Sequence, residues 1–127
     1  MNKSLKLSSW LLLSLCLVGC KSTITNLTPS QQPRNATGMY PIEVAWDTSQ
    51  QTVRPASLKP CVVVDTEFYP MRQNLGMTNR WGTVIPVPSG KNTVFYHFRF
   101  DYEQNAFGKP TKDSKLSPKF RLDISEK

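Results

Sequence analysis

Hydrophobic and polar residues alternate with a period of two along several short segments of this chain. This period is typical of β-strands that bury one face. It is clearest over 94–102, where one face carries Val94, Tyr96, Phe98, Phe100 and Tyr102. The other predicted strands are 24–27 (a first edge strand), 40–47, 58–69, 81–85 and 120–124.

The alternation predicts an all-β fold. No segment keeps the 3.6-residue period of an amphipathic helix, and ten prolines argue against long helices. Six or seven short strands with proline- and glycine-rich turns indicate a sandwich or a barrel. Their number and the chain length are similar to those of immunoglobulin-like domains, which implies a single antiparallel immunoglobulin-like β-sandwich over 39–127. The segments 72–79 and 103–118 are predicted as loops.

The segment 58–69 is interpreted as one continuous strand. Pro70 ends it, because proline cannot donate to a sheet ladder. Successive side chains of a strand point to opposite faces, so Val62 and Phe68 share one face and Tyr69 lies on the other.

A second pattern lies at the N-terminus, where Lys3 and Lys6 precede a short apolar run over 10–18. A positive start, a brief apolar segment and a small-residue exit are typical of a secretory signal peptide. A membrane-spanning helix needs about 20 predominantly apolar residues, so this run is too short to span.

The apolar run ends in Leu17-Val18-Gly19-Cys20, and this sequence resembles the end of a bacterial lipoprotein signal. The resemblance implies that residues 1–19 are removed and that Cys20 is lipidated with two or three acyl groups such as palmitate. Each buried methylene contributes about 0.8 kcal/mol, so several acyl chains hold a protein on a membrane without a span. A plain secretory signal is the alternative interpretation.

The lipoprotein resemblance implies a location in the cell envelope. Lys21 follows the cysteine, whereas an aspartate there retains such lipoproteins at the inner membrane, so the outer membrane is favoured. The polar segment 20–38 is predicted to hold the lipidated cysteine, a tether and the first edge strand. The domain is then exposed to the periplasm or the cell surface.

Removal of residues 1–19 leaves 108 of the 127 residues and lowers the formal charge from +7 to +5. The charges are dispersed, and even the basic stretch 109–115 is interpreted as solubilising charge rather than as a lipid- or polysaccharide-binding face. Cys16 leaves with the signal and Cys20 is acylated, so Cys61 has no intramolecular disulfide partner. It is predicted to be an unreactive thiol or a site of intermolecular disulfide formation.

Several segments of the mature chain resemble a set of small bacterial lipoproteins of unknown function. These segments are Leu27-Thr28-Pro29-Ser30, Gly38-Met39-Tyr40, Glu43-Val44-Ala45-Trp46, Glu67-Phe68-Tyr69-Pro70-Met71, Asn79-Arg80-Trp81 and Asp113-Ser114-Lys115-Leu116-Ser117-Pro118. The resemblance implies no activity, cofactor or catalytic residue.

The residues themselves offer no catalytic set. The carboxylates Asp65 and Glu67 are interpreted as a solvated face, because glycosidase carboxylates flank their substrate from opposing positions. The one histidine, His97, makes no metal site of known pattern, and no glycine-rich phosphate loop occurs. We therefore predict that the protein is not an enzyme, that it uses no metal or cofactor, and that it has no nucleic-acid partner.

Aromatic residues are the remaining candidates for recognition. Tyr40, Tyr69 and Phe95 are expected to lie outward or at strand ends, and they define a candidate binding patch for a glycan ring or a partner protein. The predicted function is that of a membrane-anchored, non-enzymatic binding or accessory and assembly module with an envelope protein as partner. The alternative is a carbohydrate-binding surface lipoprotein.

Overall fold

A computed structural model describes residues 22–126. The predicted signal peptide and its exit, Leu17-Val18-Gly19-Cys20, lie outside the described residues. Within 22–126 no helix is long and apolar enough to cross a membrane, and the single helical element is one turn of 3₁₀ helix over Pro55–Ser57. The strands are β1 (Ser22–Asn26), β2 (Gln31–Pro33), β3 (Met39–Thr48), β4 (Lys59–Val64), β5 (Glu67–Pro70), β6 (Arg72–Gln73), β7 (Arg80–Pro86), β8 (Thr93–Asn105), β9 (Pro110–Leu116) and β10 (Phe120–Ser125).

The strands form two sheets that pack face to face. The first sheet has the order β1-β3-β7-β6, and its pairs are antiparallel. The second has the order β2-β10-β8-β4-β5, and β9 also pairs with β8. In this sheet β2 runs parallel to β10, and the other pairs are antiparallel. The arrangement confirms the predicted all-β sandwich, although it contains more strands than the six or seven expected.

The core lies between β3 of the first sheet and β8 of the second. The residues predicted for the inner face of β8 are buried, and so are Ile42, Val44 and Trp46 on β3. The Trp46 ring stacks on Phe100 with ring centroids 4.7 Å apart. Because aromatic rings remove the most apolar area from water, this contact ties the two sheets together.

The prediction of one continuous strand over 58–69 is wrong. The chain reverses at Asp65-Thr66, and β4 and β5 form a hairpin across this two-residue turn. Asp65 has a φ of 54°, in the left-handed region that such turns require and that aspartate tolerates better than most residues. The reversal turns Phe68 to the outer face and Tyr69 to the inner face.

The prediction of a tether within 20–38 is wrong from residue 22 onward, because this segment is built into both sheets. β1 pairs with β3 along its whole length, starting with Ser22 opposite Thr48, and β2 pairs with β10. The edge strand expected at 24–27 is present as β1. The strand β2 was not predicted, because its residues are polar and an edge strand hydrogen-bonds through its backbone whatever its side chains are.

The predicted loop over 103–118 is also wrong. β8 continues to Asn105, and β9 pairs with its second half. The hairpin between them turns at 106–109, where Gly108 has a φ of 84°. β9 is almost entirely exposed on both faces, so it shows no hydrophobic alternation. The predicted loop over 72–79 begins with the two-residue strand β6.

Candidate functional site

The candidate patch of Tyr40, Tyr69 and Phe95 does not form one surface. Tyr40 is completely buried, and its hydroxyl accepts a hydrogen bond from the Asn35 backbone N–H at 3.2 Å. On β3 it stands two residues before Ile42, and therefore on the same inner face. The placement of Tyr40 in a binding patch is wrong, because this residue belongs to the core.

Tyr69 and Phe95 lie on opposite faces of the second sheet. Tyr69 is opposite Val62 on the neighbouring strand and packs against the core. Phe95 points outward, with 56% of its surface exposed. Phe95 alone of the three predicted residues offers a largely exposed ring.

Two further apolar side chains lie with Phe95 on the outer face of the second sheet. They are Phe68 of β5, which is 57% exposed, and Leu116 of β9, which is 60% exposed. Val63 of β4 lies between them and is buried. We call these four residues the outer-face patch. Single exposed apolar residues are common, whereas several on one face of a sheet are typical of an interaction surface.

Strand pairing brings these distant residues to one face. Phe68 lies opposite Val63, and Val63 lies opposite His97, so the three form a row across β5, β4 and β8. Phe95 stands two residues before His97 and shares its face. β9 pairs with the other edge of β8 and places Leu116 opposite Arg99, which stands two residues after His97 and shares its face. The patch therefore crosses four strands and is centred on His97.

The outer-face patch reaches the edge of the sheet at β5. This strand has only four residues and ends in Pro70, which lacks a backbone N–H. A short edge strand with a proline is a poor template for an added strand. A partner at this edge therefore meets side chains rather than an open row of backbone groups.

A polar rim borders the patch along β8. Arg99 Nε lies 2.9 Å from Asp101 Oδ1, and the Ser114 hydroxyl donates to the same oxygen at 2.5 Å. The hydrogen bonds from Ser114 and Arg99 lower the pKa of Asp101, so this carboxylate is charged at neutral pH. Exposed pairs of this kind contribute about 0–1 kcal/mol to stability, so their main effect is to order the rim.

A recess of about 720 Å³ opens at this rim, between the β8–β9 hairpin and the 3₁₀ turn. Its charged lining residues are Arg54, Lys59, Arg99, Lys112, Asp101, Glu103 and Asp113. Asp101 is paired with Arg99, and Glu103 is paired with Arg54 at 3.4 Å. These two carboxylates are thus matched by cations within the fold.

Cys61 lies on β4 beside the patch as a free, half-buried thiol. Burial raises the pKa of this thiol, the charge of Asp101 raises it further, and Arg99 opposes both effects. The thiol is therefore protonated at neutral pH and is a weak nucleophile. Across residues 22–126, no group of three or more His, Cys, Asp or Glu side chains is arranged to hold a metal ion.

Comparison with known proteins adds a likeness in fold. No protein-family model matches the chain, and no curated protein matches it. The structure is similar to that of murine CRIg, an immunoglobulin-like domain, with a TM-score of 0.42 and 10% sequence identity over 83% of this chain and 98% of that chain. The sandwich itself rests on the strand pairing described above, and the similarity carries no conclusion about ligand or partner.

Sequence reasoning missed Phe68 and Leu116 for two different reasons. The continuous-strand prediction puts Phe68 on the face of Val62, and the two-residue turn reverses it. Leu116 falls in a segment predicted as loop. An aspartate at the junction of two apolar segments is the turn signal that alternation alone overlooks.

Proposed function

We propose that this protein is a lipid-anchored protein of the cell envelope that acts as a non-enzymatic binding or assembly subunit and contacts a partner protein through the outer-face patch. The observation that carries the proposal is the joint exposure of Phe68, Phe95 and Leu116 on one face of the second sheet. Protein interfaces are typically built on aromatic anchors with a polar rim around them. Two exposed phenylalanines on the same sheet face as the Arg99–Asp101 pair, with Leu116 opposite Arg99, fit that anatomy.

The membrane part of the proposal rests on Leu17-Val18-Gly19-Cys20, with Lys21 favouring the outer membrane. Metabolic labelling with palmitate tests it in cells. We expect the wild-type chain to take up label and to sediment with membranes, and Cys20→Ala to lose both properties because the acylated thiol is gone. Labelling and membrane sedimentation that persist in Cys20→Ala contradict the anchor.

The partner part is tested by site-specific photocrosslinking in cells. A photoreactive phenylalanine analogue placed at Phe68 or at Phe95 is expected to give the same discrete adduct with one envelope protein. Thr25 is the matched control position, because it is exposed on the other sheet. An adduct that is equally strong from all three positions, or absent from both phenylalanine positions, contradicts the proposed surface.

A second variant separates binding from folding. Phe68→Ser is expected to weaken the adduct formed from position 95, since interface anchors act together. The free energy of unfolding is expected to change by no more than about 0.5 kcal/mol, because the side chain is exposed. An undiminished adduct from position 95 in a folded Phe68→Ser protein contradicts a shared partner surface.

The three residues suggested for the alternative function, carbohydrate binding, do not share a surface. Tyr40 is buried, Tyr69 faces the core, and Phe95 lies on the opposite face. A glycan platform needs exposed rings that converge on one ligand. No observation in residues 22–126 favours this alternative over a protein partner.

A further inference from the structure

The end of the sandwich at which β1 begins, here called the Ser22 end, also holds an exposed loop of the first sheet. β3 ends there, because Ser22 lies opposite Thr48. The loop 74–79 joins this end through a hydrogen bond from the Trp46 backbone N–H to the Asn79 carbonyl oxygen at 2.8 Å. This loop leads into β7 beside the last residues of β3.

The β8–β9 hairpin of the second sheet projects from the same end. The stacking of Trp46 on Phe100 places the second half of β8 beside the last residues of β3. Lys115 Nζ of β9 donates a hydrogen bond to the Ser22 carbonyl oxygen. The tip of the hairpin, 106–109, therefore extends past the Ser22 end.

Both loops carry apolar side chains at their tips. Phe107 and Leu75 are fully exposed, and Met77 is 43% exposed. Gly108, with its left-handed φ, lets the chain reverse at the tip and leaves the neighbouring ring without cover. Apolar surface gains free energy when it leaves water, so protruding tips of this kind favour contact with an apolar phase.

The charges around the hairpin tip favour an anionic surface. Lys109 and Lys112 follow Phe107 closely and form no salt bridge with another residue of the described chain. Glu103, the carboxylate opposite Lys112, is already paired with Arg54.

Two further carboxylates at this end are engaged within the fold. Asp47 accepts a hydrogen bond from Asn79 Nδ2 at 3.3 Å, and Asp113 accepts one at 3.4 Å from a tyrosine hydroxyl of β8. These donors are neutral, so Asp113 keeps its negative charge, but with Glu103 matched by Arg54 the three lysines Lys109, Lys112 and Lys115 leave the hairpin with an excess of positive charge.

Covalent geometry ties the proposed anchor to this end. Cys20 precedes Ser22 by two residues, and two residues of extended chain span at most about 7 Å. Ser22 is buried in the sheet, with its hydroxyl 2.8 Å from Thr48 Oγ1. A lipid on Cys20 therefore holds the loop tips next to the bilayer surface, without the long tether expected from the sequence.

We propose that the Ser22 end sits on the membrane, with Phe107, Leu75 and Met77 inserted at the level of the headgroups and Lys109 and Lys112 against anionic phospholipid. The inference rests on the proposed lipid anchor. Apolar side chains flanked by lysines are the composition of interfacial membrane contacts. In this orientation the strands rise from the bilayer, and the outer-face patch faces sideways toward a partner in the same membrane.

Fluorescence quenching by brominated lipid tests this orientation. The full chain, made in cells and purified in detergent, is reconstituted into vesicles of phosphatidylethanolamine, phosphatidylglycerol and brominated phosphatidylcholine. Phe107→Trp places a reporter at the hairpin tip, and Ser89→Trp is the matched control, exposed in a loop at the opposite end. The native tryptophans Trp46 and Trp81 give both variants the same background.

We expect the added tryptophan at position 107 to be quenched at least about twofold more than the one at position 89, because only the former reaches the acyl boundary. Equal quenching in protein that remains with the vesicles overturns the membrane-facing end and leaves the anchor standing. Protein that stays out of the vesicle fraction overturns both proposals.

A double variant tests how much the charges of Lys109 and Lys112 contribute to the membrane contact. In the Phe107→Trp background, Lys109→Gln with Lys112→Gln is expected to reduce quenching in vesicles with phosphatidylglycerol and to leave it unchanged in neutral vesicles. A reduction that is equal in both vesicle types overturns the assignment of these lysines to anionic lipid.

Discussion

Tyr40 illustrates how the position of one residue decides between recognition and packing. Its ring is completely buried, and its hydroxyl accepts one backbone hydrogen bond. We expect Tyr40→Ala to lower the free energy of unfolding by about 3–5 kcal/mol through the cavity it leaves, and Tyr40→Phe to lower it by about 1 kcal/mol through the lost hydrogen bond. Urea denaturation followed by circular dichroism measures both.

Phe95 is the matched control for Tyr40, because it is aromatic and largely exposed. Phe95→Ser is expected to change the free energy of unfolding by no more than about 0.5 kcal/mol. Similar losses of stability in Tyr40→Ala and Phe95→Ser would contradict the assignment of Tyr40 to the core and of Phe95 to the surface. The same comparison explains why Tyr40 is unsuitable for probing a binding surface.

At the level of the element, the β4–β5 turn determines that the ring of Phe68, rather than that of Tyr69, lies on the outer face. Asp65 occupies the left-handed region, which costs most other L-residues about 1–2 kcal/mol. We expect Asp65→Val to lower the free energy of unfolding by that amount, and Asp65→Gly to leave it unchanged or to raise it. Thermal and urea unfolding of the two variants give the comparison.

The charge of Asp65 has to be separated from its backbone conformation. Its carboxylate lies 3.9 Å from Lys91 Nζ, and both side chains are exposed, so this pair is expected to contribute little. Lys91→Ala measures that contribution directly. If Asp65→Gly loses as much stability as Asp65→Val, the backbone explanation is wrong and the side chain matters instead.

The last part of β8, beyond the core of the sandwich, forms a projecting hairpin with β9. The inner face of β8 ends in Tyr102, which contacts the Trp46 ring, and the three residues beyond it pair only with β9 and the segment before the 3₁₀ turn. Backbone hydrogen bonds hold this extension, since little apolar area is buried there. An arm of this kind carries Phe107 away from the body of the domain.

The whole domain is held together by its core rather than by covalent links. Cys61 is the single cysteine of residues 22–126, and its thiol is free. We expect the thermal midpoint of the lipidated protein to be the same with and without dithiothreitol, because no disulfide constrains the unfolded chain. Differential scanning calorimetry under both conditions provides the measurement, and a midpoint lowered by the reductant would indicate a disulfide between two copies through Cys61.

Alternation along the chain was sufficient to predict the parts of the molecule that lie between the sheets. The inner face of β8 carries the residues predicted for it, and the strands predicted over 40–47 and 120–124 are present as β3 and β10. The all-β sandwich follows from these strands. The physical reason is that burial of one strand face selects apolar residues at every second position. Phe95 was placed outward correctly by the same rule.

Tertiary structure alone decided the roles of the polar strands β2 and β9 and of the turns. These two strands pair through their backbones, so their side chains leave no periodic trace. The turn at Asp65 reverses one strand and thereby exposes Phe68. Side-chain periodicity records which faces leave water, whereas backbone pairing and chain reversal depend on neighbours far away in sequence. For this reason the outer-face patch and the apolar tips at the Ser22 end become visible only in the folded chain.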